Sequence, residues 1–492
     1  MSNLPLSRRI SKEFVDAVKP KNLGFFRFKK LDGETVLITN ETGKFAYLST
    51  SEFHAFLSGE LEDGTKRDEL ETKGFINPDP AKLADEFAKK HAFLACGPNL
   101  HIIVVTLRCN HSCRYCHAAA APMSAVELDM SIETAKNTLD AIYFTTAPEI
   151  TIEFQGGEPL VNWEVVKFCI EYAKEKAKKL GKRTKFALIS NMSLMTEEKL
   201  EYLLENDVGL NTSLDGDEKT HNFNRIYKEG NSYANVAHWI NEINQYSIKK
   251  YRKKNVISTL LTVTNFTLKN WKACVDGHVE LGLPQVFWRP LSPFGFGANA
   301  KKTLGYSPEE FVETYEKVLD YLLELRLKKG ISLKEGYTSI FLKKILNRTD
   351  PNYVDTRSPC GAVIGQVAYN YDGKIYSCDE GRMLGRMGHD QFLVGEVTAD
   401  ARKTYFGMIT APATKAILSA SVIEGLPGYE EDAYKPYIGS CPAQNFKAAG
   451  TIYANYGTDY KRRIETGILD CIFRKMKDPA IESVFRSWIW EG

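Results

Sequence analysis

The sequence predicts an α/β protein whose centre is a partial (β/α)6 TIM-like barrel, preceded by a small α+β unit and followed by an irregular C-terminal domain. Three observations predict this. Between residues 101 and 291 six apolar strand-like segments alternate with helix-length amphipathic segments. Residues 23–76 instead run as short strands and helices with a turn. From Ser358 onward Gly, Pro and Cys interrupt every periodic stretch.

The elements follow in order. GFFRFKK and TVLITN read as strands, Glu41 to Gly43 as a turn, KFAYLS as a third strand, and Ser51 to Leu57 as a helix, with another ending at Gly74; this unit is assigned residues 1–96. The barrel, 97–300, runs HIIVVTL, helix 132–144, TIEFQ, helix 163–179, KFALIS, helix 196–206, VGLNTSL, helix 233–245, VISTLLT, helix 268–281 and QVFWRPL. Strands separated by helices imply parallel pairing with right-handed crossovers. FVETYEKVLDYLLELRL within 308–346 has helical period and makes 301–350 a helical bridge, leaving 351–492 as the last domain.

Bulk composition excludes little. The 492 residues are 43% hydrophobic and 26% charged, and 64 basic against 62 acidic residues give a net charge of +2, which offers no electrostatic footprint for nucleic acid or an anionic membrane. No apolar run approaches the roughly 18 residues a membrane span needs. MSNLPLSRRISKEF lacks a secretory apolar stretch, so a cytoplasmic setting is expected. Ten cysteines in a reducing compartment point to metal ligands or small buried residues rather than disulfides. Cys96, Cys169 and Cys274 lie in or beside apolar helical segments and read as packing. The lysine-rich stretches 174–185 and 249–254 read as solvated faces.

LRCNHSCRYCH follows the first barrel strand and spaces Cys109, Cys113 and Cys116 as C-x3-C-x2-C. Three thiolates on a four-iron cube leave one iron open. The amino and carboxylate groups of S-adenosylmethionine (SAM) can chelate that iron. A zinc site recruiting His111 or His117, and chance clustering, are the competing readings. Parallel barrels gather reactive groups at strand C-terminal ends, and the other ends carry polar cargo. Strand two ends in Gln155, Gly156, Gly157 and Glu158, where glycines permit close backbone approach to the SAM ammonium. Strand three ends in Ser190 and Asn191, suited to ribose hydroxyls. Strand four ends in Ser213, Leu214, Asp215 and Gly216. Each of these is also explained as a turn or an N-cap. Arg225 is suited to the SAM carboxylate, Tyr115 to adenine through ring or backbone, and Leu260 to apolar packing there or in the barrel core.

CxxxCxxC, GGEP and SLDG, in this order, resemble the radical SAM superfamily. LHIIVVTLRCNHSCRYCH, TIEFQGGEPLVNW, FWRPLSPFGFG, YNYDGKIYSCDEGRM and GLPGYEEDAYKPYIGSCP are further similar to HxsB-type maturases of His-Xaa-Ser systems and related darobactin-type maturases. The resemblance implies a [4Fe-4S] cluster with an open iron, bound SAM, an external electron donor of flavodoxin or ferredoxin type, and a ribosomal precursor peptide as substrate. Its expected outcome is a side-chain crosslink, carbon–carbon or ether, involving an aromatic residue. Peptide epimerisation, small-molecule radical chemistry and a non-catalytic iron–sulfur partner are the alternatives. Asp215, Asp379 and Glu380 are the candidate proton acceptors.

Cys360, Gly373 and Cys378 form C-x12-G-x4-C, which resembles the opening of a SPASM auxiliary-cluster domain, with an Asp372-Gly373 hairpin bringing the cysteines together. The second cysteine run of that family is degenerate: counted back from Cys441, its positions hold Tyr429, Asp432 and Ile438. One auxiliary cluster on Cys360, Cys378 and Cys441 is therefore expected, with Cys471 a fourth ligand at best. A cluster-free tail with the cysteines in its core is the competing reading. The first unit resembles a PqqD-like module that recognises a leader peptide on its edge strand, or else serves as a cap on the barrel.

Overall fold

The computed structural model describes residues 22–62, 64–252, 257–454 and 460–490. The start of the expected first unit, Val256 of the fifth barrel strand and the end of the 249–254 lysine stretch lie outside the described residues. The first unit is an antiparallel sheet of β1 (Arg27–Lys30), β2 (Thr35–Thr39) and β3 (Phe45–Ser49). Gly43, at φ 83°, turns the second hairpin, and a Ser49/Glu52 capping box starts the helix Thr50–Ser58.

The barrel strands are β4 (Leu100–Thr106), β5 (Glu149–Gly156), β6 (Arg183–Ser190), β7 (Val208–Ser213), β8 (Ile257–Thr262) and β9 (Trp288–Arg289). They lie side by side in chain order, all parallel. Alternation decides which side chains enter the lumen. Ile150, Ile152 and Phe154 of β5 are fully buried against the outer helices, together with Val166 and Ile170. A buried Ile or Phe of this kind contributes about 1.5–3 kcal/mol. Glu153 and Gln155 take the opposite face.

Three departures from the sequence reading matter. The sixth strand is split: Gln285–Val286 pairs with Lys334–Glu335, and only Trp288–Arg289 joins β8. The helix expected over 268–281 is two helices, Asn265–Lys269 and Trp271–Glu280, meeting at Asn270. The helical bridge also stops early: Pro308–Lys329 ends in Gly330 at φ 68°, a left-handed C-cap, before the helix Gly336–Leu342.

The chain after residue 351 does not stand apart. β10 (Gln366–Tyr369) adds in parallel to the outer edge of β4, and β11 (Lys374–Tyr376) and β12 (Leu393–Glu396) continue antiparallel, giving one nine-stranded sheet. Beyond it the expected irregular tail contains helices, among them Tyr460–Lys475 and Pro479–Trp490. The first unit is seated on this region: Tyr47 donates to the Phe473 carbonyl at 2.8 Å, Thr39 to that of Ala433 at 2.7 Å, and Lys29 pairs with Asp470 at 2.6 Å. No helix among the described residues is long and apolar enough to cross a membrane.

Candidate active site

The cysteine loop leaves the end of β4 and is held from three sides. On the first, His111–Cys113 forms a short antiparallel ladder with Arg225–Tyr227, which sets Cys113 opposite Arg225, and the His111 ring stacks on Tyr227 at 4.6 Å. On the second, the Gly157 and Glu158 amides donate to the carbonyls of Thr106 (2.9 Å) and Arg108 (2.8 Å). A Cβ on Gly156 would lie 2.0 Å from the Thr106 carbonyl oxygen, and one on Gly157 2.3 Å from that of Arg108. These glycines let β5 pass under the cysteine loop. The Gly157 and Glu158 amides are thus taken up by the cysteine loop. On the third side, the Phe296 amide donates to the Cys116 carbonyl at 2.8 Å, and a Cβ on Gly295 would lie 2.5 Å from that oxygen.

Two polar donors reach the first of the sulfurs. The His111 amide reaches Cys109 Sγ at 3.4 Å and Asn191 Nδ2 reaches it at 3.8 Å. Burial pushes the Cys109 thiol up to about 12 and that of Cys113 to about 11, the latter against the pull of the Arg225 guanidinium. All three cysteines are only partly covered. Donors to sulfur and a nearby cation suit thiolates bound to metal, so this donor set fits an iron–sulfur cluster on Cys109, Cys113 and Cys116. The zinc reading fares worse. Among the described residues no three His, Cys, Asp or Glu side chains converge on a single-ion site, and His111 is engaged with Asn110 and Ser232 instead.

Several residues expected to meet SAM or substrate are engaged with the protein itself. Glu158 is fully buried and accepts from Leu160 N (3.0 Å), Ser190 Oγ (2.8 Å) and Asn191 N (2.7 Å). Ser190 Oγ in turn accepts from Met192 N at 2.9 Å. Asn191 spans Cys109, Asn110 and Ser193, so it steadies the cysteine loop. Gln155 donates to Glu153 at 2.6 Å. Arg225 Nη1 donates to the Tyr115 hydroxyl at 3.0 Å, which donates to Asp215 at 2.6 Å, whose other oxygen accepts from Thr262 N at 3.1 Å. The Asp215 carboxylate, 0% exposed and bonded at both oxygens, braces Tyr115 and through it Arg225. The same network engages the Tyr115 hydroxyl. Ser213 pairs with Leu260 across β7 and β8, at the mouth as expected.

Cys360, Cys378 and Cys441 do come together, in one buried cluster with Phe294, Leu384 and Phe392. Burial pushes Cys360 up to about 12 and the other two well above the usual thiol range. The Gly381 amide reaches Cys378 Sγ at 3.3 Å. The hairpin at Gly373 forms, pairing Ala368 with Tyr376. Cys471 is excluded from the group: it packs in a different core, its sulfur taken by Arg474 at 3.6 Å. Tyr429 and Ile438 fill that same core and Asp432 pairs with Arg462, so the degenerate positions are spent on packing. Asp379 pairs with Arg382 at 2.9 Å.

A cavity of about 510 Å³ adjoins the cysteine loop, between the end of β9 and the C-terminal helices; Arg289, Asp355, Glu380 and Lys461 line it. Its wall includes Gly297, whose Cβ would lie 3.2 Å from the His117 ring. Two participants escape the sequence reading. Glu153 shares the lumen with Gln155 and feels the charges of Asp379 and Arg289; period-two alternation in TIEFQ is the signal that points to it. Arg289 ends the sixth strand, a position given no candidate although every other strand end received one.

Residues 103–275 match the radical SAM superfamily. An uncharacterized protein of Methanocaldococcus jannaschii is 27% identical over 290 residues, covering 58% of this chain and 87% of that protein. The radical SAM cyclopropyl synthase TigE of Paramaledivibacter caminithermalis is 23% identical, covering 45% of this chain and 55% of that one. Among solved structures, anSMEcpe with bound AdoMet superposes with a TM-score of 0.63 at 18% identity over 79% of this chain and 99% of its own. Streptococcus suis SuiB bound to precursor peptide SuiA gives 0.51 at 15% over 87% and 97%. The cysteine loop, the sheet that carries it and the match over 103–275 agree: the chain carries a radical SAM domain and is an iron–sulfur enzyme of that type.

Proposed function

We propose that this enzyme is a peptide maturase that forms a side-chain crosslink, carbon–carbon or ether, at an aromatic residue of a ribosomally made precursor. The observation that carries the reading is the 510 Å³ cavity whose wall, at Gly297, packs on His117 and the Tyr115 carbonyl, roomy enough for amino-acid side chains beside the cysteine loop. The SuiB and anSMEcpe structures, with precursor peptide SuiA and with the Cp18Cys peptide, support a peptide as the substrate class. Cys109, Cys113 and Cys116 would hold a [4Fe-4S] cluster with an open iron, which together with SAM and a flavodoxin- or ferredoxin-type donor would supply reductive radical chemistry.

The chain's own residues do the rest. Asn191 and the His111 amide steady Cys109, Arg225 neutralises charge beside Cys113, and Asp215 fixes Arg225 through Tyr115. Gly156 and Gly157 keep the floor of the site close-packed and dry. Glu380, on the cavity wall, is the proton acceptor in this reading, since Asp215 and Asp379 are engaged elsewhere. Cys360, Cys378 and Cys441 would hold one auxiliary cluster, which would supply an electron acceptor. For the first unit, the bonds to Phe473, Ala433 and Asp470 favour a cap on the C-terminal region in addition to leader recognition by β1. The test is the mass of a candidate precursor after anaerobic incubation with reconstituted enzyme, SAM and dithionite, with Cys113→Ala as blank. Loss of hydrogens only with the parent enzyme supports crosslinking; unchanged mass with deuterium uptake from heavy water replaces it with epimerisation.

A further inference from the structure

We infer that the cavity beside the cysteine loop selects an acidic residue of the peptide, with Arg289 as the group that holds its carboxylate. The inference rests on the peptide-maturase reading and adds the substrate feature recognised.

Arg289 is fixed at its backbone. It pairs with Thr262 across β8 and β9, and its carbonyl accepts from Val263 N at 2.9 Å, so the side chain leaves a rigid strand end for the cavity. No hydrogen bond or ion pair joins its guanidinium to any described residue, unlike the other interior arginines: Arg225 is tied to Tyr115, Arg357 to Asp350, Arg382 to Asp379 and Arg462 to Asp432. Asp355, Glu380 and Glu153 lie near enough to stabilise the charge of Arg289, but none bonds it, so its planar fork of donors stays open and matches the carboxylate of a guest. Lys461, the other cation deep in this wall, is already paired with Glu465. The facing carboxylates, Asp355 and Glu380, set the orientation of the guest. A carboxylate on Arg289 is repelled by them, whereas an N–H is attracted, so the favoured guest presents its carboxylate to Arg289 and its main-chain N–H toward Asp355 and Glu380. An Asp or Glu side chain and a C-terminal carboxylate share this chemistry.

The probes are four blocked dipeptides: acetyl-Tyr-Glu-amide, acetyl-Tyr-Gln-amide, acetyl-Tyr-Ala with a free carboxylate, and acetyl-Tyr-Ala-amide. Binding to the anaerobically reconstituted, SAM-loaded enzyme is read by ligand-observed NMR. One or both carboxylate probes should bind about 10–100-fold more tightly than its amide counterpart, the span expected of a charge-assisted pair. The Glu/Gln contrast reports a side-chain source and the Ala pair a C-terminal one. Arg289→Met should erase the preference and Arg289→Lys retain part of it, with cluster absorbance and melting temperature checking that the variants fold. Equal binding of acid and amide probes by the parent enzyme, or no binding by any, overturns the inference without a variant. Weaker SAM binding in Arg289→Met with the acid preference intact also overturns it and gives Arg289 to the SAM carboxylate. The outcome is independent of the mass experiment: an acid preference with no crosslink would leave the recognition standing and remove the reaction assigned to it.

Discussion

The two cysteine triads are built on opposite principles. Cys109, Cys113 and Cys116 sit on one loop, partly covered, with an amide, an asparagine and a guanidinium around the sulfurs. Cys360, Cys378 and Cys441 come from three segments up to 81 residues apart in sequence and meet buried in an apolar cluster, with the Gly381 amide and the Ser377 hydroxyl on Cys378. Exposure sets what can reach a sulfur, so the first triad is open to an exchanging ligand and the second is sheltered from one. What the difference teaches is that spacing locates thiols, whereas their surroundings distinguish the uses.

The largest effect that would break the comparison is at the first triad. Cys113→Ala should lower reductive SAM cleavage by more than about 10³-fold, since the reaction depends wholly on the cofactor. Retained cleavage, measured as 5'-deoxyadenosine, would deny the loop its role. Next, Asp215→Ala strips the carboxylate from a buried Tyr115–Arg225 network, and losing one partner of a buried pair costs about 3–5 kcal/mol. A large fall in melting temperature is expected, with Asp215→Asn milder. At the second triad, Cys441→Ala should remove roughly one cluster's worth of iron, about four atoms per chain, while leaving the SAM-cleavage signal of the first. Unchanged iron with only about 1–3 kcal/mol of destabilisation would make these thiols ordinary core residues.

A last test, spread over pH and not confined to one side chain, probes the seam between the two regions. His101 on β4 stacks on Tyr369 of β10, and burial lowers it to about 4. Because the unfolded chain protonates first, near pH 6.5, its contribution is intact above that value and declines at about 1.4 kcal/mol per pH unit as the pH falls toward 4. His278, also lowered to about 4 by burial, adds a parallel slope. Denaturant melts from pH 7 to pH 4 check this, and a flat profile would refute it.

Much of the architecture was legible because period and spacing are local properties. TIEFQ alternates, the helices have their 3.6-residue rhythm, and the cysteine loop follows its strand directly. The C-terminal cysteines were also found from spacing, together with the Gly373 turn. The roles of strand-end polar residues were less legible. Ser190, Glu158 and Asp215 are as suited to a ligand as to each other, and only the fold shows that their partners are protein atoms. The helix Tyr460–Lys475 was missed because Gly and Cys punctuation upstream outweighed the periodicity of its own residues. Arg289 was obscured by the split strand on which it lies.

The attachment of β10 to β4 bears on how the chain is made. The strand that launches the cysteine loop is synthesised first, yet its outer edge closes only when residues 366–369 arrive. At about 5–20 residues per second that interval lasts roughly tens of seconds, during which an apolar strand edge stays open to wrong partners. The nascent enzyme therefore has a window in which chaperones, aggregation and iron–sulfur delivery compete for the same stretch of chain, and a slow-translating segment before residue 366 would lengthen it.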